Sequence, residues 1–266
     1  MNSYTLKFGQ MPTNIIERKN VTKQIVDDFN LDFPTTNSYI ITGVRGSGKT
    51  VMLTNISKEF ENKNKWIVID INPENDVLPQ MVSGVYESKY YKKLSSKLSI
   101  SFSFHGFGIS IEGKEPISDI KTVLEKMLEE IHKDDIKILL TIDEVSNTKT
   151  IRSFIHDFQS LIRKDYQIYL IMTGLNENVD SLQNNKALTF LIRTPKIHLK
   201  SLDLGEISSN YKTNLDVDDE TANKLAIASK GYAFAFQVIG LLYSKYKNKF
   251  LQQNQATNYF LISSHL

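Results

Sequence analysis

Cysteine is absent from the 266 residues, and two targeting features are missing as well. Without cysteine the chain has no disulfide, no thiolate metal site and no cysteine nucleophile, which fits a reducing compartment. The N-terminal residues MNSYTLKFGQMP lack the apolar core of a secretion signal, and no window approaches the roughly 18 consecutive apolar residues of a membrane span. We therefore expect a cytoplasmic protein with no membrane partner.

A charge excess of either sign is also lacking. Lys and Arg number 32 against 30 Asp and Glu, which gives a net charge of +2. This balance excludes a strongly basic nucleic-acid-binding protein but allows a local basic patch. The length is enough for one α/β domain of about 200 residues with a smaller appendage.

Short apolar runs alternate with helix-periodic stretches through most of the chain. The run Ile136–Ile142 is too continuously apolar for an exposed strand, so it predicts a central strand covered on both faces. The alternation predicts an α/β fold with a doubly wound, mostly parallel sheet. The predicted strands are Ser38–Thr42, Trp66–Ile71, Ile136–Ile142, Gln167–Met172 and Lys196–Leu199, and the main predicted helices are Val21–Phe29, Thr50–Phe60, Val77–Leu94, Ser118–His132 (capped by Ser118) and Thr150–Arg163.

Two regions depart from this alternation. Beyond Leu202 only helical patterns occur, so we predict a nucleotide-binding α/β domain over 1–199 and a small helical lid domain over 200–266. Residues 98–113 read as a hairpin insertion whose large apolar side chains share one face. That face docks either on its own domain or on a partner.

The segment Gly43-Val44-Arg45-Gly46-Ser47-Gly48-Lys49-Thr50 matches the phosphate-binding loop pattern G-x-x-x-x-G-K-[ST] in full. A strand precedes it and a helix follows, which is the context that the pattern requires. Glycines let successive N–H groups point inward, and the helix adds its positive end. We expect this loop and Val51 to bind ATP or ADP, with Lys49 at the β- and γ-phosphates and the Thr50 hydroxyl on Mg²⁺.

Asp143 and Glu144 directly follow the most apolar predicted strand. A carboxylate at the carboxyl end of a buried strand is where a second magnesium group belongs in a phosphate-loop fold. We therefore assign Asp143 to Mg²⁺ through a water molecule, and we expect Glu144 to orient or deprotonate the attacking water. Thr173 ends the next strand and would face the γ-phosphate if that strand lies between the other two. Arg193 is a candidate arginine finger for a neighbouring subunit.

The ordered motifs GVRGSGKT, ILLTIDEV, IYLIMTGL, FLIRTPKIHL and GYAFAFQVIGLL resemble those of AAA+ ATPases, and are most similar to origin-recognition-like and STAND-related members. The resemblance covers about Pro12 to Tyr246. It implies a Walker A motif at 43–50, a Walker B motif at 143–144, sensor 1 at Thr173 and a finger-like Arg193. It also implies that Ile15 and Ile16 contact the adenine.

The same resemblance sets expectations that this sequence does not meet. Phe234 stands where initiator relatives carry a lid arginine, and Ala233 stands where STAND relatives have a proline. The family usually continues into a winged-helix domain, and we expect that domain to be missing here or replaced by a partner.

Three functions follow from these patterns. The first is an ATP-hydrolysing switch that depends on Glu144. The second is a nucleotide-gated binding module with negligible turnover, favoured by the missing lid arginine. The third is a small-molecule kinase, against which the helical C-terminal region and Thr173 argue. Self-association through Arg193 and a DNA or protein partner are left open, since sequence analogy alone does not identify a partner.

Overall fold

The computed structural model describes residues 3–7, 11–91, 119–185 and 188–246. Within these ranges strands and helices alternate as the sequence predicts. The strands are β1 Ser38–Thr42, β2 Trp66–Ile71, β3 Lys137–Ile142, β4 Ile168–Gly174 and β5 Lys196–His198. The helices are α1 Lys19–Asn30, α2 Lys49–Glu61, α3 Val77–Glu87, α4 Ile120–Lys133, α5 Lys149–Ile162, α6 Asn176–Gln183, α7 Thr189–Arg193, α8 Leu204–Leu215, α9 Asp219–Ser229 and α10 Ala233–Tyr246.

The five strands form one sheet in the order β2-β3-β4-β1-β5. The β2–β3, β3–β4 and β1–β4 pairs are all parallel. Beside β5, the N–H of Ile40 donates to the carbonyl of Pro195 at 3.0 Å. The predicted doubly wound α/β fold is confirmed, and β4 lies between β1 and β3 as the interpretation of Thr173 requires.

The chain forms two compact units. The sheet unit comprises the described parts of 20–42 and 53–197, and the C-terminal unit comprises the described parts of 1–19, 43–52 and 198–266. Each is therefore assembled from stretches that are separate in the sequence. The predicted division of the chain after residue 199 stays a prediction.

In the sheet unit, one face of the sheet packs against α3, α4 and α5. Alternate residues of the central strands point to this face because side chains alternate along a strand. Its fully buried members include Leu140, Leu170, Met81, Leu124 and Phe158. β3 and β4 are buried along almost their whole length, which is why their sequences lack the alternation of a half-exposed strand.

The alternate side chains point to the opposite face, where an aromatic cluster surrounds Lys137 at the start of the strands. The Lys137 ammonium lies 5.6 Å from the ring centroid of Trp66 and 5.7 Å from that of Tyr169. It also donates to the carbonyl of Phe29 at 3.2 Å. Burial lowers the pKa of Lys137 below its ordinary value. The aromatic members of the cluster are Phe29, Tyr39, Phe60, Trp66 and Tyr169.

In the C-terminal unit, Tyr4 is inserted into the core that α8, α9 and α10 form. Its ring centroid lies 5.8 Å from that of Tyr211 and 5.5 Å from that of Phe236. A Cβ atom at Gly240 would come within 2.4 Å of the Tyr4 ring, so a side chain at this helical position would displace Tyr4. The N-terminal residues are therefore part of this core.

Polar side chains fasten the N-terminal segment to the same helices. The Tyr4 hydroxyl donates to Asn210 at 3.0 Å, and Asn14 and Asn210 bond each other through their amides at 2.9 and 2.7 Å. Gln237 accepts from the N–H of Thr5 at 3.1 Å and donates to the carbonyl of Asn14 at 2.5 Å. These bonds satisfy amides that are largely buried.

The structure corrects three local predictions. The helix predicted over 77–94 is interrupted at Ser88, which is extended and whose hydroxyl donates to the carbonyl of Val85 at 2.7 Å. α3 therefore ends at Glu87, residues 89–91 are helical again, and residues 92–94 lie outside the described ranges. The N-cap of α4 is Asp119, whose carboxylate accepts from two backbone N–H groups of the first turn. β4 continues through Thr173 to Gly174, beyond its predicted end at Met172. Ser118 and the predicted hairpin over 98–113 lie outside the described residues.

Across the described ranges, no helix has both the length and the apolar character that crossing a bilayer requires.

Candidate functional site

The predicted phosphate loop lies between the end of β1 and the start of α2 at Lys49. Gly46 and Gly48 have φ angles of 74° and 90°, in a region that L-residues with a side chain rarely adopt. The pattern of glycines in the sequence thus has a conformational cause. The helix that follows presents its N-terminal N–H groups and positive dipole end, which favour a bound anion.

Lys49 is held on the loop. Its side chain is buried, with 7% of the residue exposed. The ammonium donates to the carbonyls of Gly43 at 2.9 Å and Val44 at 3.0 Å. A positive charge is thereby fixed beside the backbone that the sequence assigns to phosphate.

Ser47 provides a test of whether the loop fits a phosphate. The residue is 6% exposed, and its hydroxyl oxygen has no hydrogen-bond partner among the described residues. A buried hydroxyl without a partner costs about 1–3 kcal/mol, so such groups are rare unless a ligand or water satisfies them. A phosphate oxygen is an acceptor that this hydroxyl can satisfy, and the loop residues therefore fit a polyphosphate.

Two backbone carbonyls of the loop are bonded by groups elsewhere in the C-terminal unit. The N–H of Phe234, in the first turn of α10, donates to the carbonyl of Gly46 at 3.0 Å. The guanidinium of Arg18 donates to the carbonyl of Ser47 at 3.0 Å and to that of Lys200 at 2.9 Å. Burial lowers the pKa of Arg18 below its ordinary value. Neither contact was predicted, because both depend on backbone atoms that a sequence motif does not specify.

The predicted acids form a bonded group with Thr173 in the sheet unit. The Thr173 hydroxyl, which is 0% exposed, donates to the carboxylate of Asp143 and accepts from the N–H of Glu144 at 3.1 Å. The parallel register pairs Ile142 with Met172, so the residue after each comes to the same level of the sheet. Asp143 is half-buried and Glu144 is exposed.

Glu144 has a φ angle of 56°, in the left-handed region. For a residue with a side chain this conformation costs roughly 1–2 kcal/mol, and it persists where the surroundings hold the backbone in place. Here the flanking peptides are held by Thr173, whose hydroxyl accepts from Glu144 and whose carbonyl accepts from the N–H of Val145 at 2.7 Å. The backbone at Glu144 is therefore fixed by β4.

The residues assigned to Mg²⁺ supply the right kind of donor atom. Thr50 offers a hydroxyl oxygen in the first turn of α2, and Asp143 offers a carboxylate. Magnesium is usually bound through one or two such oxygens together with substrate phosphates, rather than in a cage made only of protein groups. Among the residues described, no group of three or more His, Cys, Asp or Glu could hold a metal ion.

The remaining predicted residues are more dispersed. Arg193 is the exposed last residue of α7, next to Ile192, which is also exposed. Arg45 is exposed within the phosphate loop. Ile15 and Ile16 are half-buried, and Ile16 packs against the core around Tyr4. Their assigned roles stay predictions.

A family model described as an ATPase domain predominantly from Archaea matches residues 30–179, which is more than half of the chain. No curated protein matches the sequence.

Several solved structures share the fold at low sequence identity. The ORC1 protein of Aeropyrum pernix, solved in complex with DNA, is 10% identical with a TM-score of 0.57 over 94% of this chain and 66% of that chain. Cdc6p from Pyrobaculum aerophilum is 15% identical with a TM-score of 0.55 over 89% of this chain and 63% of that chain. Domain III of the replication initiation protein DnaA from Thermotoga maritima is 15% identical with a TM-score of 0.51, covering 93% of this chain and 92% of that domain.

The chain therefore spans 63% of the length of the Cdc6p chain and 66% of the length of the ORC1 chain. At these identities the likeness concerns the fold alone, and it confirms the fold that the resemblance in the sequence implies.

Proposed function

Because this chain belongs to the family of ATPase domains found predominantly in Archaea, we propose that it binds ATP with Mg²⁺, hydrolyses it and changes conformation in response. The single observation that carries the proposal is the phosphate loop, with its ammonium held at the backbone and its buried hydroxyl. A triphosphate would give the Ser47 hydroxyl an acceptor and the Lys49 ammonium a counter-charge. The absence of cysteine supports a cytoplasmic location as part of the proposal.

Binding is assigned to the loop and its helix. The N–H groups between residues 43 and 50 bond the phosphate oxygens, Lys49 neutralises the β- and γ-phosphates, and Ser47 contributes its hydroxyl. Ile15 and Ile16 are assigned to the adenine, since both are half-buried apolar side chains that can contact a base. Magnesium would be held by Thr50 and Asp143, and when bound it neutralises charge on the phosphates.

Hydrolysis is assigned to Glu144. A water molecule attacks the γ-phosphorus, the bond from that phosphorus to the β,γ-bridging oxygen breaks, and ADP and inorganic phosphate are released. Glu144 accepts the proton of the attacking water. Its exposed side chain on a fixed backbone supports this role, and Thr173 holds the acid pair in place. Arg193 is assigned to the γ-phosphate of a neighbouring subunit.

The proposal is tested by measuring ATP binding and phosphate release for the wild type, Lys49→Ala and Glu144→Gln. We expect Lys49→Ala to weaken binding by roughly 10- to 100-fold, because it removes a charged hydrogen-bond donor. We expect Glu144→Gln to bind ATP normally and to release phosphate at least about 100-fold more slowly, the usual scale for loss of a general base. Equal phosphate release by the wild type and Glu144→Gln would remove Glu144 from the mechanism.

A second candidate is a nucleotide-gated binding module with negligible turnover. It is favoured by Phe234, whose backbone N–H bonds Gly46 and whose side chain offers no charge to a phosphate. Nucleotide that is retained through purification, with no phosphate release from an assembled oligomer, would support this function over hydrolysis.

DNA and protein partners are distinguished by salt. The ORC1 relative was solved with DNA, so we propose testing duplex DNA first. If DNA binds, its affinity should fall steeply between about 50 and 200 mM salt, because phosphate contacts release counterions. Binding that is absent or insensitive to salt would direct the search to a protein, with ATP-loaded Glu144→Gln as the bait.

A further inference from the structure

Arg18 connects the phosphate loop to the start of the C-terminal helices. It directly precedes α1, and one of its terminal nitrogens donates both to the carbonyl of Ser47 at 3.0 Å and to the carbonyl of Lys200 at 2.9 Å. Its other terminal nitrogen lies 3.4 Å from the position that a Cβ atom would occupy at Gly48. The guanidinium is thus packed against the backbone of the loop.

The bond to Ser47 fixes the direction of an amide that is assigned to phosphate. A peptide unit is planar and trans, so the C=O of one residue and the N–H of the next point in opposite directions. Because the Ser47 carbonyl points to Arg18, the N–H of Gly48 points away from it. Gly48 has a φ angle of 90°, which glycine adopts readily because no side chain restricts its backbone. The direction of its N–H is therefore fixed by contacts such as that of Arg18, and not by the residue itself.

Because Arg18 also bonds the carbonyl of Lys200, the direction of the Gly48 N–H depends on the position of the segment that leads into α8. Lys200 lies four residues before the start of α8, and its carbonyl shares the same Arg18 nitrogen. A guanidinium is planar and presents its donors in a fixed geometry, so the two carbonyls are held relative to each other. Phe234 acts on the preceding peptide in the same way, since its N–H bonds the carbonyl of Gly46.

We infer that Arg18 is a positioning residue for polyphosphate binding, which orients the Gly48 N–H by holding the Ser47 carbonyl and fastens the loop to Lys200. The inference rests on the proposed function of the loop. This role differs from the adenine contact expected of Ile15 and Ile16, which lie just before Arg18, because a residue that acts through the loop affects phosphate binding whether or not a base is present.

The experiment compares ATP with inorganic tripolyphosphate, each with Mg²⁺, by calorimetric titration of the full chain. The variants are Arg18→Ala and Arg18→Lys, and the matched control is Lys19→Ala, which removes one positive charge from the adjacent, exposed side chain. Thermal unfolding without ligand identifies the temperatures at which each protein is folded, and the titrations are done there. Arg18→Lys keeps a cation and one donor group, so it also serves if Arg18→Ala does not fold.

We expect Arg18→Ala to weaken the binding of ATP and of tripolyphosphate by a similar factor of roughly 10 to 100, the scale of a lost charged hydrogen bond. Arg18→Lys should lose less affinity than Arg18→Ala, and Lys19→Ala should bind both ligands as tightly as the wild type. A merely structural Arg18 would lower the unfolding temperature but leave both dissociation constants of the folded protein unchanged, and that result would overturn the inference.

Two further outcomes are also decisive. If Arg18→Ala and Arg18→Lys weaken ATP but not tripolyphosphate, Arg18 contacts the nucleoside and the inference is wrong while the proposed function stands. If the wild type binds neither ligand, the loop does not bind polyphosphate, and the proposed function and this inference fail together.

Discussion

Replacing Thr173 with valine isolates the contribution of one hydroxyl to the acid pair. Valine keeps the shape of threonine but neither donates nor accepts a hydrogen bond. The Asp143 carboxylate would lose a donor, and the N–H of Glu144 would lose its acceptor. Because Thr173 is fully buried in β4, water does not readily take the place of its hydroxyl.

The expected loss of stability follows from those two bonds. A neutral hydrogen bond contributes about 1 kcal/mol net, and one to a charged group about 1.5–3 kcal/mol. Asp143 is only half-buried and Glu144 is exposed, so both can recover part of this from water. We therefore expect Thr173→Val to lower the free energy of unfolding by about 1–3 kcal/mol. We also expect ATP turnover to fall at least about tenfold, because Asp143 and Glu144 would no longer be held in the position that the reaction needs.

Thr141→Val is the matched control for this experiment. Thr141 is buried in the neighbouring strand β3, and its hydroxyl likewise donates to a carboxylate, that of Asp70. Both variants thus lose a threonine hydroxyl that bonds an acid. Of these two hydroxyls, that of Thr173 bonds Asp143 and Glu144 and that of Thr141 does not, so Thr141→Val should lose stability and keep the turnover of the folded protein.

Unfolding in urea can be followed through Trp66, the single tryptophan, which is 6% exposed and becomes accessible to water on unfolding. Phosphate release gives the turnover. The reasoning is refuted if Thr173→Val keeps wild-type stability and turnover, since the hydroxyl would then hold nothing. A stable Thr173→Val protein with reduced turnover would instead support the predicted contact with the γ-phosphate.

Three other perturbations have outcomes that follow from the structure. Gly46→Ala should weaken ATP binding, because the residue has a φ angle of 74° and its Cβ would lie 3.0 Å from that of Phe234; calorimetry giving wild-type affinity would contradict this. Lys137→Met should lower the free energy of unfolding by about 1–2 kcal/mol, because the ammonium no longer contacts the rings of Trp66 and Tyr169 or the carbonyl of Phe29. Circular dichroism in urea measures this, and an unchanged midpoint would show that these contacts contribute nothing. Burial and a hydrogen bond to Asp28 raise the pKa of Tyr39 to about 12 from an ordinary 10.0. The unfolded state therefore releases the Tyr39 proton first, and stability should fall as pH rises from about 10 to 12; Tyr39→Phe should make that fall shallower, and an equal slope in both proteins would contradict the assignment.

The architecture was predictable because its signals are local. A continuously apolar strand such as β3 differs in sequence from an amphipathic helix such as α5. The order of the strands depends on pairings between distant segments and was not predicted. The loop was predictable for a stricter reason. The φ angles at Gly46 and Gly48 exclude most side chains, so the conformation leaves its mark on residue identity.

The connections among these parts were not predictable in the same way. The role inferred for Arg18 depends on two backbone carbonyls, and every residue has a carbonyl, so no residue type marks the partner. The break at Ser88 was missed because apolar periodicity continues past it, whereas the chain turns where a serine hydroxyl bonds the backbone. Thr173 was assigned to a ligand from its position, while its bonds to the acid pair depend on how β3 and β4 pair in register.

The assembly of the C-terminal unit from three separated stretches has a consequence for the order of folding. Its core needs Tyr4 beside helices that lie beyond the long excursion of residues 53–197. Bringing such distant stretches together carries a loop-closure entropy that native contacts repay only after they form. If the sheet unit forms first, the described parts of residues 53–197 are already folded when the terminal stretches meet. We therefore expect amide protection in refolding experiments to develop earlier in β3 and β4 than in α10, and release of the first residues by limited proteolysis to loosen α8 and α10 before the sheet.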